Sequence, residues 1–541
     1  MSIEPAMPLS GGGRYGHHAG TYVRRLTAAL ALLFLSSATS SAQSDSEAVE
    51  LHAFDGSAVV KGELVEVSDG SYVLRTALGT LRIGLEEAEC KGTACPLLDR
   101  FDSDFAIRVD DASLASLMMA LLSGYAEDLD ADHRITEGTN GVREVLILDR
   151  ESGKRLTGVD LLLSSKPGEA SDTAPGELRV FFDQQSPPGE DRSDELLLAL
   201  DGVAVIAHQE NSIGILDEKT IAGVFACAET DLSGLNGSVR LYVPGVSSKA
   251  YQTFKANVLD PADLALCSQA TQLDVDADVA GVVANDPSAL GFVSLDEIGY
   301  AKALPMTACH MTRQPTAFSV KAGDYPLTRH VLLNAPPLGE SSAAAQRFID
   351  YALGSTGQQR VDEAGFVGLN VGATKSDDTN YLMTRLEAAT KLVQNTQLIY
   401  QLIEEADDAV RLSTTFHFRS GTAAIDEAYS LDNRAQRDLT RLVRYLETDV
   451  DSGFELLVFG FADASGDYEA NLALSQQRAQ SVADKLAAFG VPITSVIGFG
   501  EEAPIACNDD PAGRAHNRRV EVWLRMPKHE ASDQSAWRVP M

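Results

Sequence analysis

The sequence predicts a multidomain α/β protein: a small β unit, a two-lobed α/β domain, and a C-terminal α/β sandwich of order βαβαββ. Three observations predict it. Residues 45–98 alternate apolar and polar side chains around short turns. Residues 101–372 alternate short apolar strands with helical segments, the pattern of α/β domains. Residues 412–526 run strand, helix, strand, helix, strand, strand. With 541 residues, 44% of them apolar, the chain is long enough for several domains, each with its own core.

The N-terminal segment 1–42 reads as an extension followed by a signal peptide. Arg24 and Arg25 form a positive start, Leu26 to Leu35 an apolar stretch, and Ser40-Ser41-Ala42 a small-residue cleavage signal. The apolar stretch is too short to span a bilayer. The mature chain is therefore expected in the periplasm. The net charge of −34 excludes nucleic acid as a partner, because its phosphates would be repelled.

In the β unit, turns at Asp55-Gly56, Asp69-Gly70 and Leu78-Gly79 separate the strands. Val65, Val67, Tyr72, Leu74, Leu81 and Ile83 are expected to share a core of four or five strands. Nothing reactive occurs here, so the unit reads as an interaction or spacer module.

In the middle domain, strands are predicted at 105–109, 144–148, 159–163, 178–182, 203–208, 238–243 and 291–294, and helices at 112–126, 217–225, 249–258 and 342–353. A mainly parallel sheet and two lobes around a cleft are expected. The ordered series VDLLLSSKP, LALDGVAVIAHQENSIGILDEKTIAGVFA, SVRLYVPGVSSKAYQTFKANVL, NDPSALGFVSLDEIGYAKALP and GDYPLTRHVLLN resembles the phosphate-type periplasmic substrate-binding proteins. That family closes two lobes on an oxyanion with hydroxyls, backbone N–H groups and helix N-termini. The resemblance implies solute-binding positions at Asp111, Ser113, Ser164, Ser165, Ser247, Ser248 and Tyr251. Two departures stand out. Asp110-Asp111 sits where the family places a small hydroxyl or glycine, and the later loop lacks a Gly-rich, Arg-bearing stretch. An ionised carboxylate at that position repels a dianion, so the implied partner is a small anion or solute of unspecified kind.

Residues 376–411 carry Leu382, Leu386, Leu392, Leu398, Leu402 and Ile403 at roughly helical spacing and read as a helical linker. Of the six cysteines, Cys90 and Cys95 are near enough to close a tight local disulfide. Cys227, Cys267 and Cys309 share one region, where Cys227–Cys267 is the chosen pair, and Cys507 is left over as a candidate free thiol. Neither paired CxxC knuckles nor histidines at ligand spacing occur, so no metal is expected. No cofactor motif and no GxSxG, HExxH or P-loop is present, and no enzyme is expected.

The C-terminal domain places Asp463 after an apolar strand, ELLVFGFA, and Arg478 in the following helix. A carboxylate accepts from an ammonium, and a guanidinium presents a planar fork to a carboxylate. Together they suit a small zwitterion. The segments FHFRSGTAAID, FGFADASGDYEANLALSQQRAQSVADKLAAFGV and IGFGEEAPIACNDDPAGRAHNRRVEVWL resemble the OmpA-like peptidoglycan-binding domain. In that family the aspartate binds the amino group of diaminopimelate in a stem peptide, and the arginine binds its carboxylate. Asn471, Leu474 and Ser475 match its NxxLS element, and Asn517, Arg518 and Arg519 its terminal NRR. Phe461-Ala462 replaces the usual His-Thr. Residues 528–541 read as a loose tail.

The expected function is that of a non-catalytic periplasmic protein held to peptidoglycan, at the outer membrane, with a middle domain that captures a small solute. The alternative is a structural linker whose middle domain docks an outer-membrane or other envelope protein.

Overall fold

The computed structural model describes residues 48–526 except 54–57, 69–70, 77–78, 85–87, 93–94, 96–102, 139–141, 164–176, 184–194, 230–231, 233–237, 336–341, 375–393, 424–433 and 451–452. The expected signal peptide and tail lie outside the described residues. Among the described residues no helix is long and apolar enough to cross a membrane. Two units separate at Pro96 and are described in turn.

In the first unit, alternation around short turns gives β1 (Ala48–Ala53), β2 (Val59–Ser68), β3 (Ser71–Thr76), β4 (Gly79–Gly84) and β5 (Ala88–Lys91). They pair antiparallel in the order β4-β3-β2-β1-β5. Val49, Leu51, Tyr72, Val73, Leu74 and Ala88 are buried. Of the other expected core residues, Val67 and Ile83 are half-buried and two are exposed. Val65 is exposed because the β2–β3 register slips between Leu64 and Glu66, leaving it as the extra residue of a bulge. Leu81 shares a face with Leu74, but β4 is an edge strand and leaves it open. Cys90 bonds Cys95 at the end of β5.

The second unit starts with β6 (Phe105–Val109) and α1 (Ala112–Asp128). Asp111 caps α1 by accepting from Ser113 N. The helix buries Leu114, Leu117, Met118, Leu121 and Leu122. There follow β7 (Ala131–Glu137), β8 (Val142–Asp149), β9 (Arg155–Leu163), β10 (Glu177–Asp183) and the long β11 (Glu195–Ala207). Next come β12 (Leu216–Asp217), α2 (Glu218–Phe225), β13 (Arg240–Pro244), α3 (Lys249–Phe254), β14 (Thr271–Leu273), α4 (Asp276–Val283) and β15 (Ala289–Ser294). The domain closes with β16 (Lys302–Ala303), β17 (Met306–Ala308), β18 (Met311–Arg313), α5 (Ala317–Lys321), β19 (Thr328–Asn334), α6 (Ala343–Leu353) and α7 (Ser355–Glu363).

The main sheet runs β14-β13-β15-β11-β19-β10-β6-β9-β8-β7, with β16 beside β11. It is mixed, not mainly parallel as expected. β6, β9 and β10 are parallel neighbours, as are β13, β14 and β15, but β11 and β19 run antiparallel through the middle and β7-β8-β9 is antiparallel. The reason is that β11 and β19 join two lobes. Leu198 and Ala199 enter one core, packed with α1 and α6, while Leu200 and Val203 enter another around Phe225, Phe254 and Phe292. At that crossing Arg329 Nε donates to Asp201 Oδ2 at 2.7 Å, with both side chains buried and the guanidinium 4.3 Å over Phe182. Cys227 bonds Cys267 in the second lobe.

The C-terminal domain consists of α8 (Thr396–Glu405), β20 (Ala409–His417), α9 (Arg434–Thr448), β21 (Glu455–Gly460), α10 (Tyr468–Ala488), β22 (Ser495–Gly498), α11 (Pro511–Asn517) and β23 (Arg519–Arg525). Sheet order is β20-β23-β21-β22. The expected βαβαββ order is present with a short extra helix, α11, before the last strand. Strand periodicity splits the core. Leu456 and Val458 face α9 and α10, while Leu457 and Phe459 face α8, whose Ile399 and Leu402 are buried. The described end of the expected linker is thus helical but packs as a layer of this domain. Gly460 is required where α10 crosses β21, since a Cβ there would meet Ser475 O at 2.1 Å.

Candidate functional site

The strand end after β21 and the start of α10 build the candidate site. Asp467 caps α10, accepting from Ala470 N at 3.1 Å. Asn471 lies one turn in and orients the preceding loop. Its Nδ2 donates to Asp463 O at 3.1 Å, Ser465 O at 3.2 Å and Glu501 Oε2 at 2.9 Å. Ser475 is buried. It donates to Leu472 O and accepts from Gly500 N, each at 2.8 Å, so it ties helix to turn. Leu474 is half-buried on the same helix.

Asp463 and Arg478 do not bond each other. Asp463 Oδ2 accepts from Arg518 Nη1 at 2.7 Å, and Oδ1 from Ser465 N at 2.8 Å. Burial alone would raise this carboxyl's pKa, but the Arg518 and Ser465 hydrogen bonds hold it below the usual carboxylate range. Arg478 is fully buried. Nε donates to Thr422 O at 2.9 Å, Nη2 to Arg419 O at 3.2 Å and Nη1 to Phe461 O at 3.4 Å. Burial, then the Arg518 charge, pull its pKa down to about 10, only partly offset by Asp463. One carboxylate faces two guanidiniums, so Asp463, Arg478 and Arg518 sum to one net positive charge. A guanidinium has five N–H donors, so two of Arg478 are uncommitted to these carbonyls.

Asn517 is a loop clamp rather than a ligand group in this arrangement. Its Oδ1 accepts from Ile505 N at 2.8 Å and Ala506 N at 2.9 Å, and its Nδ2 donates to Ala506 O at 2.8 Å and Asn508 Oδ1 at 2.9 Å. Arg519 turns to the opposite face. It pairs with Glu521 at 2.6 Å, and its guanidinium lies 4.0 Å over Phe461. This accounts for Phe461: the ring also stacks on Phe499, 5.7 Å away, as part of the core under α8. Asn508 and the three carbonyls around Arg478 were missed from sequence, and a backbone carbonyl leaves no sequence signal.

Most of the described middle-domain positions make contacts within the fold. Ser113 Oγ donates to Asp111 Oδ1 at 2.5 Å. Ser248 caps α3 and donates to Asp276 Oδ1 at 3.4 Å. Ser247 is exposed. Tyr251 is a core residue, its ring 6.5 Å from Phe292. Ser164 and Ser165 lie outside the described residues. Between the lobes, Lys249 Nζ donates to Asp110 Oδ2 at 3.3 Å, with both side chains largely buried.

Cys507, expected as a free thiol, is not one. Cys507 bonds Cys309, 198 positions away, and joins the C-terminal domain to the second lobe. Beside it Arg313 Nε donates to Ile505 O at 3.0 Å, and Arg411, fully buried, pairs with Asp324.

A four-stranded sheet flanked by helices, with a carboxylate and two arginines at one strand end, defines a small α/β binding module. A family model described as the OmpA family matches residues 425–518. Over 123 residues the chain is 33% identical to the peptidoglycan-associated lipoprotein of Pseudomonas putida, covering 22% of this chain and 68% of that protein. The chain belongs to the OmpA family. It is 45% identical over 69 residues to the probable lipoprotein YiaD of Escherichia coli, which is 12% of this chain and 32% of that protein. It is 48% identical over 65 residues to the peptidoglycan-binding protein ArfA of Mycobacterium tuberculosis, 12% of this chain and 20% of that protein. The chain therefore spans a third or less of those two relatives. An ABC-type phosphate transport receptor from Vibrio cholerae aligns over 49% of this chain and 99% of its own, at 16% identity and a TM-score of 0.37.

Proposed function

We propose that this chain is a non-catalytic envelope protein held to peptidoglycan by its C-terminal domain, and that the group recognised is the zwitterionic centre of diaminopimelate. The observation that carries this reading is Arg478: a buried guanidinium bonded to three carbonyl oxygens beside an Asp463–Arg518 pair, with one net positive charge over the three groups. A ligand carboxylate would balance that charge through the remaining Arg478 donors. A ligand ammonium would take the lone pairs that Asp463 does not give to Arg518 and Ser465. Relatives named for peptidoglycan binding or association support the same reading. The periplasmic face of the outer membrane fits it. The test is co-sedimentation with purified sacculi, wild type beside Asp463→Ala and Arg478→Ala, with free diaminopimelate as competitor. Wild type in the supernatant sinks the reading.

For the middle domain, the Asp110–Lys249 pair favours a scaffold that docks an envelope protein over a receptor for a small anion. An incoming anion would have to displace Asp110 from Lys249 and would meet the Asp111 carboxylate as well. A solute at 100 times its dissociation constant would add about 2.7 kcal/mol of stability. A thermal shift of that size with phosphate, sulfate, carboxylates or sugars would reverse this reading.

A further inference from the structure

The segment Ile505–Asn508 lies between two parts of the protein that sequence analysis treats as separate. On one side it is fastened to the second lobe of the middle domain by the Cys309–Cys507 disulfide and by Arg313 Nε on Ile505 O. On the other side it reaches the loop that carries Asp463, because Asn508 Oδ1 accepts from Ala464 N at 3.1 Å. Asn517 clamps the segment from within through Ile505 N, Ala506 N, Ala506 O and Asn508 Oδ1. Arg514 Nη1 holds Asn508 O at 2.8 Å. Gly513 lets α11 approach so closely that a Cβ there would lie 2.0 Å from Cys507 O. The segment therefore has little room to shift independently of either neighbour.

We propose that Asn508 is a positioning residue of the Asp463 site and that the middle domain holds it in place through Cys309–Cys507 and Arg313. The inference rests on reading Asp463 as a ligand group, and it adds that the middle domain supports the wall-binding loop instead of merely hanging from it. The disulfide sits one residue from Asn508, and Ala464 sits one residue from Asp463. A displacement at Cys507 thus passes to the carboxylate through a single side chain. The buried Arg411–Asp324 pair and the packing of α5 beside β20 keep the two domains in register around this path.

The experiment uses the full chain with the double substitution Cys309→Ser/Cys507→Ser, together with Asn508→Ala and Asn508→Asp. Amide exchange at Ala464 and Ser465 is measured without ligand, and sacculus affinity is measured in parallel. Both the serine variant and Asn508→Ala should exchange faster at Ala464 and bind sacculi about tenfold more weakly. Asn508→Asp keeps both acceptor contacts and should bind at least as well as wild type. Combining the serine and alanine changes should cost less than the product of the two, because both act through one contact. Unchanged Ala464 exchange in the serine variant, or fully multiplicative losses, overturns the inference. If the serine variant fails to fold, Asn508→Ala with its aspartate rescue decides. If wild type does not bind sacculi, the wall-binding reading falls, while the exchange result still decides whether the middle domain holds this loop.

Discussion

Arg518 donates to Asp463 across 2.7 Å, so the carboxylate of the candidate site is set by the arginine between α11 and the last strand rather than by the helix arginine, Arg478. That relationship gives Asp463 a fixed direction and a depressed pKa, and it leaves the buried Arg478 guanidinium hydrogen-bonded to backbone carbonyls instead of to a carboxylate.

The pH dependence follows in sign. A carboxyl whose folded pKa lies below its unfolded value of about 3.9 contributes stability above that value and loses it as pH falls through the folded pKa. Sacculus binding through Asp463 should be flat from neutrality down to about pH 5. Arg518→Met removes the hydrogen bond that opposes burial and should move the carboxyl titration upward, read directly by carbon NMR of Asp463. An unmoved titration would refute Arg518 as the cause.

Arg478→Lys keeps the charge and loses the planar fork. Charge-assisted hydrogen bonds contribute about 1.5–3 kcal/mol, so sacculus affinity should fall about 10- to 100-fold. Equal affinity would show that the fork is not used.

At the lobe crossing, Asp201→Ala leaves Arg329 buried and unpaired and should destabilise the middle domain by about 3–5 kcal/mol in urea unfolding. Replacing both residues with apolar ones of similar size should recover most of that loss.

Between the lobes, Asp110→Asn removes the partner charge of Lys249. Phosphate affinity measured calorimetrically should rise at least about tenfold over wild type, because like-charge repulsion is relieved. No gain would mean that the Asp110 charge is not what bars an anion.

Gly460→Ala should cost about 1–3 kcal/mol, because the new methyl overlaps the α10 backbone at Ser475. Thermal unfolding would read it.

The parts legible in sequence are those written in local patterns. Strand and helix periodicity located α1, α10, β21 and half of the middle-domain strands described, because side-chain direction follows the backbone repeat within a few residues. The positions of Asp463, Arg478, Asn471 and Asn517 were legible through the resemblance of the segments around them to the OmpA-like domain, not through periodicity. Cys90–Cys95 was legible because five positions of chain allow little choice.

What only the tertiary structure decided are the partners across long chain separations. Val65 and Leu81 carry the right residue types for a core, yet a bulge and an edge strand expose them. Periodicity fixes which face a side chain takes, but not which strand ends up beside it, so the antiparallel β11 and β19 were not foreseen. Cys507 found Cys309, Asp463 found Arg518 and Asp110 found Lys249 because packing brought distant segments together. The sequence by itself determined the elements and the chemistry placed at their ends. The burial of apolar surface between those elements determined which charges, thiols and carbonyls meet, since non-directional packing energy is summed over the whole unit and no local repeat records it.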